Sequence, residues 1–329
     1  MTTTRLPGAD LAAGRTGEHN LLCLVAKELV ASEVCQLTLR DPRGRRLPEW
    51  TPGSHIDLVL PNGMVRQYSL CGDRRQADTY RVAVLREPAG RGGSAYVHDE
   101  LRPGDVVGIG GPRNHFPLVP AQDYLFLAGG IGITPLLPMI QAADLLNIPW
   151  RLVYGGRTRA SMAFLRDLAV QGHRVKVCPQ DETGLLDLDA ELAGTGPGTI
   201  VYCCGPAPLL TALGERTLAW ERGRVRTERF RAPERLSAAA DMPFVVDLAR
   251  SGVSVTVAPG QSILDAVSAV GVSVLSSCRS GMCGTCETKL LAGSADHRDS
   301  VLDDASREAG DSIMPCVSRA LGDRLVLDL

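Results

Sequence analysis

The chain opens with short alternating or apolar runs, passes into longer apolar strands interleaved with helical stretches, and then returns to short runs. Between about 20 and 118, VCQLTLR (34–40), HIDLVL (55–60), YRVAVL (80–85) and DVVGIG (105–110) are separated by Gly, Pro and Asn. Many short strands at that spacing, with no long helical stretch, predict an antiparallel barrel or sandwich. From about 121 to 230 the texture changes. YLFLA (124–128) precedes a predicted helix near 134–145, RLVYGG (151–156) one near 160–170, and IVYCCG (200–205) one near 206–221. Strands alternating with helices predict a parallel sheet with crossover connections. RAPERLSAAADMP (231–243) is polar, small and Pro-bounded, and reads as a linker. FVVDLAR, VSVTVAP, a predicted helix near 261–270 and a terminal strand LVLDL follow. The expected division is a flexible segment 1–19, a barrel 20–118, an α/β domain 119–230, the linker 231–243 and a third domain 244–329.

Composition narrows the function classes. With 329 residues the chain has room for two or three domains, and 44% hydrophobic with 22% charged residues excludes bulk disorder. A net charge of −2 gives no global basic field, which argues against nucleic-acid binding. No apolar run reaches the roughly 18 residues of a membrane span. MTTTRLPGAD lacks the apolar core of a secretory signal, so the expected compartment is the cytoplasm. The charge is uneven, however. Residues 241–329 carry 12 acidic against 7 basic side chains, a net −5, which leaves +3 for residues 1–240.

Ten cysteines in a reducing compartment point to metal or redox chemistry wherever they cluster. Cys23, Cys35, Cys71, Cys178, Cys203 and Cys204 lie among apolar neighbours and read as small buried hydrophobes. Cys203 and Cys204 fall on opposite faces of a predicted strand and cannot easily bridge. SCRSGMCGTC differs: it places Cys278, Cys283 and Cys286 at x4 and x2 spacing, with Cys316 following in IMPCVSRA. C-x4-C-x2-C…C is the plant-type [2Fe–2S] ligand spacing. Gly281 and Gly284 let the loop backbone approach sulfur, where N–H groups tune the cluster. A zinc site or dithiol pair on Cys283 and Cys286 is the alternative, but Cys316 then has no second Cys or His at zinc spacing. The six histidines are isolated, and His297 in DHRD has no evident role.

AGGIGITP (128–135) follows a predicted strand and opens a helix, with Gly129, Gly130 and Gly132 allowing close approach to a phosphate. Thr134 is the expected N-cap and Pro135 the expected first helical residue. This is not the G-x-G-x-x-G fingerprint, so the turn is either structural or a dinucleotide site. In RQYSL, Arg66 could pair with a phosphate, Tyr68 could lie along a flavin, and Ser69 could hydrogen-bond its ring. Taken alone, Arg-x-Tyr-Ser arises readily by chance. GRGGS (90–94) reads as a loop whose N–H groups and Ser94 hydroxyl could hold a phosphate.

Taken in order, RQYSL, GRGGS, GGIGITP, CGP (204–206) and SCRSGMCGTC…C resemble the phthalate dioxygenase reductase family, and are especially similar to its vanillate O-demethylase reductases. The resemblance covers nearly the whole chain after residue 20. It implies an N-terminal antiparallel Greek-key flavin barrel, a central doubly wound parallel α/β nucleotide domain and a C-terminal β-grasp plant-type ferredoxin domain. It also implies NADH, FMN and a [2Fe–2S] cluster, and a Rieske-type oxygenase as the partner of a monomeric reductase. Flavin contacts are then expected at Arg66, Gln67, Tyr68, Ser69, Gly92, Gly93 and Ser94, with Arg86 where some members carry a lysine. Pyridine-nucleotide contacts are expected at Gly129, Gly130, Ile131, Thr134, Arg157, Cys204, Gly205 and Pro206. Phe230 in RTERF is expected to cover the flavin and, with Ser69, to serve the reacting centre. The cluster ligands fall on Cys278, Cys283, Cys286 and Cys316. The competing readings are an iron–sulfur carrier or redox sensor without NADH activity, and a stand-alone flavin reductase.

Overall fold

A computed structural model describes residues 20–230, 241–302 and 304–329. The expected segment 1–19 and linker residues 231–240 lie outside the described residues. The chain forms two compact units, the first ending at Glu228 and the second starting at Arg229.

The first unit begins with β1 (Asn20–Ala31), β2 (Val34–Arg40), β3 (His55–Val59), β4 (Val65–Ser69) and β5 (Thr79–Leu85), then α1 (Gly93–Asp99) and β6 (Val106–Arg113). They form one antiparallel sheet in the order β4-β3-β6-β1-β2-β5, and a bridge between Leu70 and Val82 closes it at the β4–β5 edge. Insertion of β6 between β3 and β1 gives the Greek-key connection. Alternation explains the strands: Leu37, Leu39, Ile56, Leu58, Val82 and Val84 point into one buried cluster. α1 was not expected, because GRGGS reads as a loop. Instead Gly92 adopts φ 79° as the N-cap, and Gly93 and Ser94 begin the helix.

The same unit continues with β7 (Asp123–Gly129), a 3-10 turn Gly130–Gly132 and α2 (Ile133–Leu145). After these come β8 (Trp150–Gly156), α3 (Leu165–Ala169), β9 (Val175–Pro179), α4 (Gln180–Thr183), α5 (Leu188–Ala193), β10 (Thr199–Cys204), α6 (Ala207–Arg216) and β11 (Val225–Glu228). The sheet is parallel in the order β11-β10-β7-β8-β9. Both of its faces are covered: Phe126, Ala128 and Cys204 pack with α2, while Leu125, Leu127 and Cys203 pack with α5 and α6. Cys203 and Cys204 thus face opposite ways, as the strand pattern requires. The α2 core also includes Val34, Cys71 and Ala83 of the barrel.

Two expected helices differ. The stretch 160–170 splits into a 3-10 turn (Arg159–Ser161) and α3, with Phe164 at φ 64° between them. Met162, Ala163 and Phe164 are all buried, and three consecutive inward side chains cannot share one helical face. α6 stops at Arg216 rather than 221, and Thr217 caps it by donating its hydroxyl to the carbonyl of Leu213 at 2.9 Å.

The second unit contains β12 (Phe244–Leu248), β13 (Val253–Val257), α7 (Ile263–Ala269), β14 (Thr288–Ala292), β15 (Ala295–Asp296), α8 (Asp304–Ala309), β16 (Ser312–Ile313), β17 (Arg319–Ala320) and β18 (Arg324–Leu327). Its mixed sheet runs β13-β12-β18-β14-β16, with β12 and β18 parallel and α7 packed on the apolar face, a β-grasp arrangement. Among the described residues no helix is long and apolar enough to cross a membrane.

Candidate functional site

At the barrel edge, β4 and the 86–94 segment meet. The Arg66 guanidinium donates to the carbonyl of Arg91 at 2.8 Å and lies against Gly93. Ser94 Oγ accepts the N–H of Glu87 at 3.0 Å. Arg66 and Tyr68 point to one face of β4, Gln67 and Ser69 to the other. Burial pushes the Tyr68 phenol up and the Arg66 guanidinium down. Ser69 Oγ is buried without a hydrogen-bond partner, an orphan that a flavin nitrogen or oxygen would satisfy. Gln67 and Arg86, also expected at the flavin, already have protein partners. Gln67 donates its amide to Asp57 at 2.8 Å, inside the barrel wall. Arg86 donates two hydrogen bonds to Asp99, at 2.6 and 2.8 Å.

In the nucleotide sheet two glycine turns abut. Gly129 ends β7, Gly130, Ile131 and Gly132 form the 3-10 turn, and Cys204-Gly205-Pro206 leads from β10 into α6. A Cβ on Gly132 would overlap the Cys204 carbonyl, and Gly129 lies against Gly205 and Pro206. The expected cap is corrected: Gly132 occupies the N-cap of α2, and Thr134 is already helical. The reason is that the 3-10 turn takes up the preceding residues, and Thr134 Oγ1 donates back to the carbonyl of Ile131 at 3.0 Å. Past β8, Arg159 pairs with Glu182, whereas Arg157 is exposed and takes no ion pair among the described residues.

Glu228, at the end of β11 and in register with Cys204, was missed by the sequence reading. Its Oε2 is enclosed and unpartnered, and burial pushes the carboxyl up to about 8, so it holds its proton at neutral pH. Burial raises the Cys204 thiol as well. The available signal was an acid at the last position of a strand on the ligand-facing edge of a parallel sheet. Phe230 lies two residues beyond β11 and is 45% exposed.

In the second unit the four expected cysteines sort into pairs. Cys278 and Cys283 lie in the loop between α7 and β14, and Cys286 and Cys316 lie beside the paired strands β14 and β16. The N–H groups of Ser280 and Met282 both point at Cys278 Sγ, at 3.4 Å, and favour its thiolate. The N–H of Thr285 points at Cys283 Sγ. Among the described residues no three His, Cys, Asp or Glu side chains gather round a single point. Four cysteines at the plant-type spacing, with backbone N–H groups aimed at the sulfurs of Cys278 and Cys283, fit a [2Fe–2S] cluster.

A family model of the 2Fe-2S iron-sulfur cluster binding domain matches residues 246–321. The chain is 44% identical to the phenoxybenzoate dioxygenase subunit beta of Ectopseudomonas oleovorans, over 91% of this chain and 94% of that protein. The solved structure of phthalate dioxygenase reductase, described as modular for electron transfer from pyridine nucleotides to [2Fe-2S], aligns at a TM-score of 0.69. It is 39% identical and covers 95% of this chain and 98% of its own. An intact type IV self-sufficient cytochrome P450 monooxygenase aligns at a TM-score of 0.90 and 43% identity over 94% of this chain, which spans only 41% of that protein. The cysteine spacing, the abutting glycine turns and a fold shared over 95% of this chain thus agree, and the chain belongs to the phthalate dioxygenase reductase family of oxidoreductases, the reductase components of oxygenase systems.

Proposed function

We propose that this reductase uses NADH, FMN and its [2Fe–2S] centre to supply single electrons to a Rieske-type oxygenase, working as a cytoplasmic monomer with barrel 20–118, nucleotide domain 119–230 and ferredoxin domain 244–329. The plant-type spacing of the four cysteines, inside the segment matched by the 2Fe-2S family model and with N–H groups aimed at the sulfurs, carries the reading, because such a cluster is a one-electron centre. Bound flavin supplies exchange between a two-electron donor and a one-electron acceptor. Arg66, Gly92, Gly93 and Ser94 hold its phosphate; Tyr68 flanks the ring and Ser69 donates to it. The two glycine turns seat the pyridine nucleotide, with Gly129, Gly130, Ile131, Thr134, Cys204, Gly205 and Pro206 around it and Arg157 beside the ribose. Phe230 covers the flavin. Cys278, Cys283, Cys286 and Cys316 ligate the irons.

Visible spectra before and after NADH test this. Flavin and cluster bands that both bleach support it; cluster bands alone would make the protein an electron carrier. A haem oxygenase partner is the second reading, favoured by the likeness to the P450 monooxygenase, whose match spans this whole arrangement. Electron transfer to purified Rieske and P450 partners separates the two.

A further inference from the structure

Different parts of the second unit hold Cys286 with Cys316 and Cys278 with Cys283. Cys286 lies two residues before Thr288, and Cys316 three after Ile313; these two residues pair across β14 and β16. The sheet therefore sets the Cys286–Cys316 pair. Cys278 and Cys283 sit in a loop outside any regular element, between α7 and β14. That loop is tied at Gly281, whose carbonyl accepts the N–H of Ser300 at 2.8 Å. Gly281 has φ 71°, and a Cβ there would meet Val317 and the Asp299 backbone.

Behind Gly281 lies a buried polar knot. The Asp299 side chain is fully enclosed. Its Oδ2 accepts the N–H groups of Val301 and Leu302 at 3.0 and 2.8 Å, and its Oδ1 the hydroxyl of Ser318 at 3.4 Å. Ser318, also fully buried and two residues past Cys316, accepts the N–H of Arg298 at 3.2 Å. Arg307 donates to the Asp299 carbonyl at 2.7 Å and approaches its carboxylate at 3.9 Å, which offsets the buried charge. His297 Nδ1 lies 3.8 Å from the same carboxylate. Burying a carboxylate is costly, and these hydrogen bonds with the nearby guanidinium offset that cost while tying the segments together.

We infer that Asp299 and Ser318 are positioning residues for the [2Fe–2S] centre: their contact joins the Cys316 arm to the segment that holds Gly281, and so sets one thiol pair relative to the other. This rests on the cluster reading, which fails separately if the parent protein shows no cluster absorption. Asp299→Asn keeps the shape but removes the charge and one acceptor. Ser318→Ala removes only the hydroxyl. In the full-length holoprotein each should speed cluster loss to a ferrous chelator about tenfold. The double variant should do little more than either single, because the two groups act as one. Asp299→Asn should also make the cluster potential more positive, since it removes a fixed negative charge beside it. NADH-driven ferricyanide reduction, which the flavin supports without the cluster, should be unchanged. If Asp299→Asn does not fold, chelation of Ser318→Ala decides alone. Parental chelation rates and potential, even with a lowered melting temperature, would overturn the proposal and leave the knot a general support.

Discussion

Gly132→Ala probes the contact between the two glycine turns most directly. The new Cβ would lie under 3.0 Å from three backbone atoms, the carbonyl carbon and oxygen of Cys204 and the nitrogen of Gly205. Backbone cannot swing aside as a side-chain tip does, so the turns must separate. Overpacking of this kind costs about 1–3 kcal/mol, and a backbone obstacle places it near the upper end. For a unit of this size that lowers the melting temperature by about 6–12 °C. Coenzyme binding should suffer too. One hydrogen bond to a charged group contributes about 1.5–3 kcal/mol, so losing one weakens NADH binding about ten- to a hundredfold. The comparison variant is Gly130→Ala. There φ is 56° and no atom lies within 4 Å of the added carbon, so only a backbone penalty of about 1–2 kcal/mol applies. Thermal melts followed by flavin fluorescence and NADH titration of the holoprotein measure both effects. If Gly132→Ala binds NADH as tightly as the parent and melts at the same temperature, the close-approach reasoning is wrong.

Cys283→Ser should lose the cluster absorbance yet keep NADH-driven ferricyanide reduction; a folded variant that oxidises no NADH would contradict the modular reading. NADH should show the lower Michaelis constant, and a clear preference for NADPH would sink that choice and point to Arg157 as a 2′-phosphate ligand. Glu228 ionises near 4.5 when unfolded but at about 8 in the fold, so the folded chain holds a proton the unfolded chain has lost between those values. Its contribution to stability is full below 4.5 and lost as pH rises towards 8, and Glu228→Gln should flatten that slope in denaturant titrations. Electron transfer to the oxygenase should slow as salt rises, because the net −5 of residues 241–329 steers docking over a Debye length of about 10 Å at 0.1 M. Equal salt dependence of ferricyanide turnover would remove that argument.

The barrel strands were legible because Leu37, Leu39, Ile56 and Leu58 alternate with polar neighbours, and the cluster because thiol spacing leaves few other chemistries. α1 was not: Gly92 and Gly93 hide a helix start behind a loop composition, and only packing of Val97 into the barrel core makes it helical. β9 is short and only partly buried, so VKVCP carries little periodic signal. Thr134 looked like a cap because its residue type suits one, but a preceding 3-10 turn had already begun the helix. Glu228 and the Asp299–Ser318 contact depend on neighbours distant in the sequence. Their roles come from enclosure, which residue order does not display.

The core shared by Val34, Cys71 and Ala83 with α2 bears on how such proteins can be recombined. A chimera spliced near residue 118 would cut through one apolar cluster, and both fragments would expose surface that each normally hides in the other. Barrel and nucleotide sheet should therefore be inherited, melted and transplanted as a single cooperative block. A splice after Phe230 leaves that block whole, with the residue proposed to cover the flavin, so the iron–sulfur unit is the part that can be exchanged to redirect the electrons.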